Sequence, residues 1–372
     1  MIPIKEFLKK FKMLNKKKIL FFAPSIEEGG VEKNLFIVSN YIADYKNYKV
    51  CVLTANKNKK KFFNKKINFI SPSSNYWCNK PRIFKTLICL KILFFNINFE
   101  KILIFSFQSN LFAILLAKIL KFKIIIRSNT DPTGYISNVL KKILFKLILS
   151  KADAIVVNSN EFKNNLKKIL NIKSEIIYNP FKIKRFKKNI ISKNKSLNIV
   201  NIGRLTNQKN QITLLKAINL IKNKFSIHCL IIGKGKTFLN LKNYIKDNNL
   251  DKNVELLGYK EKPWRHVKHC DVFVLTSKYE GLPNVLLEAI NENKIIVSTD
   301  CPSGPKEILS NHKGGFLFPV NDHIKLANIL NYIYCNKNKA LKKNRFAKKN
   351  LLKFNYKINL EKYKNIINKY LN

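Results

Sequence analysis

Acidic residues are scarce in this chain: 22 Asp and Glu stand against 71 Lys and Arg, a formal net charge of +49 over 372 residues. Such a balance favours polyanionic partners, namely nucleic acid, anionic lipid or phosphorylated ligands. The chain is also crowded with Asn and Ile, as an AT-rich coding sequence would be, so the charge speaks to association rather than to fold. No CxxC pair occurs among the cysteines at 51, 78, 89, 229, 270, 301 and 335. An odd, scattered set argues against a disulfide framework and for reduced thiols in a cytosolic protein. No apolar run reaches the ~18 residues that would suggest a membrane-spanning helix. The first residues lack the uninterrupted apolar core of a signal peptide, so a cytoplasmic location is expected.

Other absences narrow the chemistry. There is no G-x-S-x-G nucleophile elbow and no Asp-x-Asp. The stretch IIGKGKT (231–237) is not a phosphate-binding Walker loop, because Leu230 stands where its first glycine would fall, and it lacks the third glycine of a dinucleotide fingerprint. All five histidines (228, 266, 269, 312, 323) lie in the second half. His266, His269 and Cys270 form HVKHC, but no second cluster completes a zinc site, and Cys270 immediately precedes an apolar strand.

The length suggests two domains, and 46% hydrophobic residues suffice for two cores. Short apolar runs read as buried strands at 17–24, 49–55, 101–107, 123–129, 153–159 and 175–180, and again at 198–203, 226–233, 254–259, 271–277, 294–300 and 315–320. Near-continuous apolar strands separated by helical patterns imply parallel sheets covered on both faces. The fold class is therefore α/β, with two doubly wound Rossmann-like domains facing a central cleft and ligands at the carboxyl ends of the strands. The expected division is 1–180, a basic linker 181–197, a second domain 198–353, and a C-terminal helix 354–372 returning to the first domain. Three basic amphipathic stretches stand out, at 1–18, 111–123 and 137–151. Each fits either an interfacial membrane contact or an ordinary core-facing helix with a solvated side; the second reading is preferred for the two internal stretches and the first for 1–18, which has no sheet partner in sequence.

Chemistry concentrates in the second half. Glu280 lies in the loop after the strand DVFVLTS, and Glu288 in the second turn of the following helix. Gly281 permits close backbone approach and Pro283 suits a helix start. The first helical amides, around Leu282, Asn284 and Val285, then form an anion site. Taken alone, the two glutamates also fit a helix-dipole partner and an exposed acid. Asp271, Glu280, Glu288, Glu292, Asp300 and Glu307 nevertheless cluster in a chain with few acids. NIGRLTNQKNQ (201–211) runs strand, glycine, basic loop, helix; Arg204 and Lys209 are placed to meet a diphosphate. Trp77 and Trp264 have no assignable role.

As an ordered set these motifs resemble the retaining glycosyltransferases of family 4, which have the GT-B fold, and especially those that build bacterial surface polysaccharide or lipid-linked glycans. The E-x7-E signature stands as Glu280 and Glu288; the GR-L-x-x-Q-K element as Gly203, Arg204, Leu205, Gln208 and Lys209; the glycine-rich loop as EEGGVEKN (27–34); and CPSGPKEIL (301–309) is a variant found among such enzymes. The resemblance implies a nucleotide-sugar donor, expected to be UDP-linked, as substrate, with no cofactor. Arg204 and Lys209 would hold its pyrophosphate, aided by Gly203 and Gly233. Glu288 would bind the ribose and Glu280 the transferred sugar. Gly29 and Gly30 would approach from across the cleft, and Tyr259 would lie near the base. With no Asp-x-Asp, the cations rather than a metal must meet the pyrophosphate. Many relatives carry a histidine in the first domain; here Arg127, Asn129 and Asp131 are the polar groups available in IIIRSNTDP, either near the acceptor or in a simple turn. The acceptor would be lipid-linked or a glycan, with peripheral binding at the inner face of the membrane, where each Lys or Arg near an anionic leaflet contributes about 1 kcal/mol. The rival readings are another GT-B enzyme (epimerase or phosphorylase), a non-catalytic scaffold, and a nucleic-acid-binding protein. The last is disfavoured because the lysines are spread almost everywhere rather than interleaved with aromatics on one face.

Overall fold

A computed structural model describes residues 17–27, 29–96, 102–129, 131–134, 136, 138–183 and 196–371. Residues 1–16 of the stretch 1–18 read above as an interfacial helix, and residues 184–195 of the basic linker 181–197, lie outside the described residues. The chain divides into two compact units, one running to Pro180 and resuming at Tyr356, the other spanning Phe181–Asn355.

The first unit holds seven parallel strands: β1 (Lys17–Phe22), β2 (Tyr48–Leu53), β3 (Asn68–Ile70), β4 (Ile102–Ser106), β5 (Lys123–Arg127), β6 (Ala154–Val157) and β7 (Glu175–Ile176). Their order is β3-β2-β1-β4-β5-β6-β7. Helices α1 (Gly30–Ala43), α2 (Arg82–Asn96), α3 (Asn110–Ile119), α4 (Val139–Leu149) and α5 (Asn160–Leu170) lie between strands, and α12 (Tyr356–Leu371) ends the chain. Successive strand side chains point to opposite faces. Leu20 and Phe22 therefore join the core under α2 to α5, while Ile19 and Phe21 join the core under α1 and α12. Burial on both faces is why β1 reads as an unbroken apolar run rather than an alternation.

The second unit has six parallel strands: β8 (Ser196–Ile202), β9 (Ser226–Ile232), β10 (Val254–Gly258), β11 (Val272–Leu275), β12 (Ile295–Thr299) and β13 (Phe316–Phe318). Their order is β10-β9-β8-β11-β12-β13. Its helices are α6 (Gln211–Ile221), α7 (Phe238–Asp247), α8 (Asn284–Asn291), α9 (Pro305–Ile308), α10 (His323–Cys335) and α11 (Lys337–Asn350). In each sheet the strand order reverses beside the first strand, between β1 and β4 and between β8 and β11.

Three features differ from the sequence reading. Strand β3, three half-buried residues at the sheet edge, went unread because NFI is too short and too little apolar to stand out. Helix α3 ends at Ile119, because Lys121 adopts a left-handed conformation (φ 57°) and turns the chain into β5. Helix α4 is not an ordinary core-facing helix with a solvated polar side: Leu149 is its only fully buried residue, and its outer side is apolar.

Helix α12 completes the first core with Leu360, Tyr363, Ile366 and Ile367. The Tyr41 and Tyr45 hydroxyls of α1 and its following turn donate to Glu361. Arg127, at the end of β5, is 1% exposed. Its Nε donates to the Tyr363 hydroxyl at 2.9 Å, and its other nitrogens donate to Asn129 and Asn179. The guanidinium also lies 5.6 Å from the centre of the Phe107 ring. Replacing Tyr363 with Phe should cost about 1–3 kcal/mol, since it strands a buried charged donor, and Tyr363→Ala should cost about 3–5 kcal/mol through the added cavity. Urea unfolding measures both; an unchanged Phe variant would show that Arg127 does not rely on that hydroxyl.

Candidate functional site

The carboxyl ends of β8, β9, β10 and β11 carry the candidate residues of the second unit. The ladder between β8 and β9 runs on past both strands, with Gly203 N–H donating to Ile232 and Leu205 N–H donating to the Lys234 carbonyl at 3.0 Å. Gly233 has to be glycine, since a Cβ there would sit 1.8 Å from the Gly203 carbonyl oxygen. The loop that follows Gly203 is thus pressed flat on its neighbour. Gln211, on the first turn of α6, donates to the Arg204 carbonyl at 3.0 Å and holds this loop from beneath. The Arg204 side chain itself is exposed.

Backbone and side-chain hydrogen bonds fasten the 204–210 loop to the loop after β11. Lys278 N–H donates to the Gln208 carbonyl at 2.8 Å. Gln208 Nε2 donates to the Tyr279 carbonyl at 2.9 Å, and Thr276 Oγ1 to the Lys209 carbonyl at 2.8 Å. These bonds bring Lys209 Nζ to 2.5 Å from Glu280 Oε1, an ion pair that bridges the reversal point of the sheet. Ser277 Oγ donates to the same carboxylate oxygen at 2.6 Å. Both members of the pair are largely buried, with side-chain exposures of 16% and 9%. An ammonium so held is a fixed positive charge in a poorly solvated place, the arrangement that best stabilises charge developing on a ligand.

Beyond Glu280 the chain turns into α8 through Gly281, Leu282 and Pro283; Asn284 and Val285 open the helix, with no side-chain cap on its first turn. Gly304, in a left-handed conformation (φ 100°), backs this turn. A Cβ there would lie 2.8 Å from both the Gly281 carbonyl oxygen and the Pro283 ring. Glu288 accepts a hydrogen bond from the Trp264 indole at 2.8 Å. Trp264 packs in turn on Phe273 of β11, ring centres 5.8 Å apart. Nothing in the local sequence around Trp264 pointed to this contact, because it joins a turn to a helix residue 24 positions away. Tyr259 follows β10 and is half exposed, with Lys234 Nζ 4.6 Å above its ring.

Gly29 and Gly30 lie in the first unit, at the start of α1, where Gly29 is extended. The buried Glu32 carboxylate fills the space beside Gly29, 2.6 Å from where a Cβ would stand, and accepts from Gln108 Nε2 at 2.9 Å. Of the polar groups read in IIIRSNTDP, Arg127 is buried as described, and Asn129 Nδ2 donates to the Phe107 carbonyl. Asp131 accepts from Thr133 N–H and Oγ1 and from Asn165. The two Thr133 bonds to Asp131 are those of a local turn, whereas Arg127 lies on β5 and bonds to distant residues. In HVKHC, His266 and His269 are exposed, whereas Cys270 is buried with its thiol on the Ile199 carbonyl. The buried Lys294 amino group gathers the carbonyls of Val267, Lys268 and Cys270. That segment is accordingly organised around an ammonium, and burial pushes the Lys294 pKa down.

Residues 182–350 match the family described as Glycosyl transferases group 1. An uncharacterized glycosyltransferase of Methanocaldococcus jannaschii is 34% identical over 207 residues, 51% of this chain and 50% of that protein. This chain thus spans half the length of that relative. The N-acetylgalactosamine-N,N'-diacetylbacillosaminyl-diphospho-undecaprenol 4-alpha-N-acetylgalactosaminyltransferase of Campylobacter jejuni is 29% identical over 268 residues, 66% of this chain and 72% of that one. Among solved structures, Anabaena Alr3699/HepE in complex with UDP superposes with a TM-score of 0.74 at 17% identity, covering 95% of this chain and 100% of that chain. The likeness is one of fold: two parallel-sheet α/β units of the GT-B type.

The thiols near the site are inert by burial. Cys301, beside Glu280, is pushed up to about 12 by burial and then by that carboxylate, and Cys270 also to about 12 by burial. Alkylation of the native protein at about pH 8 should modify the exposed Cys335 first and the half-buried Cys78 more slowly. The five buried thiols should react only after unfolding. Rapid native labelling of Cys301, read by peptide mass spectrometry, would show that the site loops open.

Proposed function

We propose that this protein is a retaining glycosyltransferase that moves a hexosyl or N-acetylhexosaminyl group from a UDP-linked donor to a lipid-linked or glycan acceptor. It would act at the inner face of the cell membrane and without a metal. The observation that carries the reading is the buried Lys209–Glu280 pair, held across the sheet's reversal point within the segment that matches Glycosyl transferases group 1. The UDP bound to the structural neighbour and the diphospho-undecaprenol substrate in the relative's name support the donor and acceptor classes.

In this reading the donor diphosphate lies against Lys209, Arg204 and the first amides of α8. Its ribose hydroxyls donate to Glu288, which Trp264 keeps oriented, and Glu280 faces the transferred sugar. The bond from the anomeric carbon to the diphosphate breaks, and an acceptor hydroxyl oxygen bonds that carbon on the same face. The acceptor proton passes to the departing phosphate oxygen, so no separate base is needed. Lysine and arginine compensate the charge that builds on the leaving group.

A panel of nucleotide sugars, screened by thermal shift and by slow donor hydrolysis, identifies the donor. Lys209→Ala should lower kcat at least ~100-fold. Glu288→Ala should weaken donor affinity about tenfold, and Trp264→Phe should raise the donor KM about 3–10-fold while keeping most of kcat. Wild-type turnover in Lys209→Ala would overturn the assignment.

A further inference from the structure

One face of the first unit has an outer surface unlike a solvated one. Helices α2, α3, α4 and α5 all cover the same side of the sheet, and their buried residues, among them Leu93, Ile114, Leu149 and Phe162, share one core. Helix α5 is ordinary: it buries Phe162, Leu166 and Leu170 and turns Lys163, Asn164, Lys167 and Lys168 outward. Its three neighbours carry a second apolar stripe on the side away from the core. On α4, Val139, Leu140, Ile143, Leu144 and Leu147 fall on one helical face, and Leu140 is 78% exposed. On α3 the outward residues are Phe112, Leu115 and Ile119, the last 69% exposed. On α2 they include Leu87, Phe94 and Phe95, the last 68% exposed. Helix α3 packs between α2 and α4, so the stripes adjoin. Between α2 and α3 runs a groove of about 450 Å³, lined by Leu90, Phe94, Phe112, Leu115, Leu116 and Ile119 with Lys91 among them. The polar exterior of α5 shows that biased composition alone does not produce such a surface.

The charges on these helices select the occupant. None of α2, α3 and α4 contains Asp or Glu, while Lys91, Lys141, Lys142 and Lys146 are exposed among or beside the apolar stripes. A second copy of this face would bring those lysines against each other with no acid to pair them, and lysine is depleted from protein interface cores. The chain's own first residues, with Lys5, Lys9, Lys10 and Lys12 against Glu6, meet the same repulsion. An anionic bilayer answers both demands: acyl chains accept the apolar side chains, and lysine stems reach up to the headgroups.

We propose that the outer surface of α2, α3 and α4 docks on an anionic lipid bilayer. This builds on the peripheral contact proposed above, and it puts that contact on these helices rather than on residues 1–18.

The test is co-sedimentation of the full chain with phosphatidylglycerol–phosphatidylcholine vesicles and with phosphatidylcholine alone. Binding should require the anionic lipid. The double substitution Leu140→Asn with Leu144→Asn should weaken it at least ~10-fold, and Lys141→Glu with Lys146→Glu should weaken it by a similar ~10-fold. The charge-matched control on α5, Lys163→Glu with Lys167→Glu, should change it less than ~2-fold. The proposal falls if the wild type ignores anionic vesicles, if the α5 control loses as much as the α4 variant, or if Lys5→Glu with Lys9→Glu abolishes binding while the α4 variants leave it intact. It falls too if sedimentation equilibrium shows a dimer that the α4 variants dissociate without altering vesicle binding. Donor hydrolysis by the same preparations reads sugar transfer separately: its absence in a wild type that binds vesicles would defeat that reading and leave this one standing.

Discussion

Every strand in both sheets runs parallel to its neighbours, and the rest of the molecule follows from that. Parallel strands cannot be joined by a tight turn, so each connection crosses over a face of the sheet, usually as a helix. The helices then bury both faces, which requires strands apolar on both sides. All the carboxyl-terminal strand ends point one way, and ligands of such folds lie beside the point where the order reverses. In the second unit that place lies between β8 and β11, and the loops leaving those two strands supply Lys209 and Glu280.

The loops there are tied to one another by hydrogen bonds. Gly203 and Gly233 meet backbone to backbone. Gln208, Thr276 and Lys278 tie the lysine loop to the glutamate loop. Ser277 and Lys209 share one Glu280 oxygen. A buried ion pair is weak evidence of stabilisation, because desolvation offsets much of the attraction. Under the proposed function its worth would be positional, since Glu280 and the two tied loops fix where the ammonium stands.

Both series of strands were legible because burial on two faces leaves a signature that needs no partner information. Strand β3 was not, since an edge strand of three residues has neither the length nor the burial to imprint a pattern. The glycines and cations of NIGRLTNQKN could be placed at a strand end from local sequence, but the direct bond of Lys209 to Glu280 could not, because it joins positions 71 residues apart. The contact of Trp264 with Glu288 was hidden for the same reason. Arg127 looked like an available polar group by residue type alone, yet the return of α12 buries it. Helix α4 defeats periodicity differently: with apolar residues on two opposite sides, the pattern indicates a helix but not which side meets the core, and only the neighbouring helices decide.

Helix α12 bears on how the protein is made. The first unit's core lacks Leu360, Tyr363, Ile366 and Ile367 until the last sixteen-residue helix has been translated. During synthesis the sheet of the first unit has one flank of its core uncovered, and Arg127 lacks its tyrosine, until the entire second unit has emerged from the ribosome. A stop codon placed just before Tyr356 would spare every candidate residue on β8 to β12 and still leave the amino-terminal half unable to close.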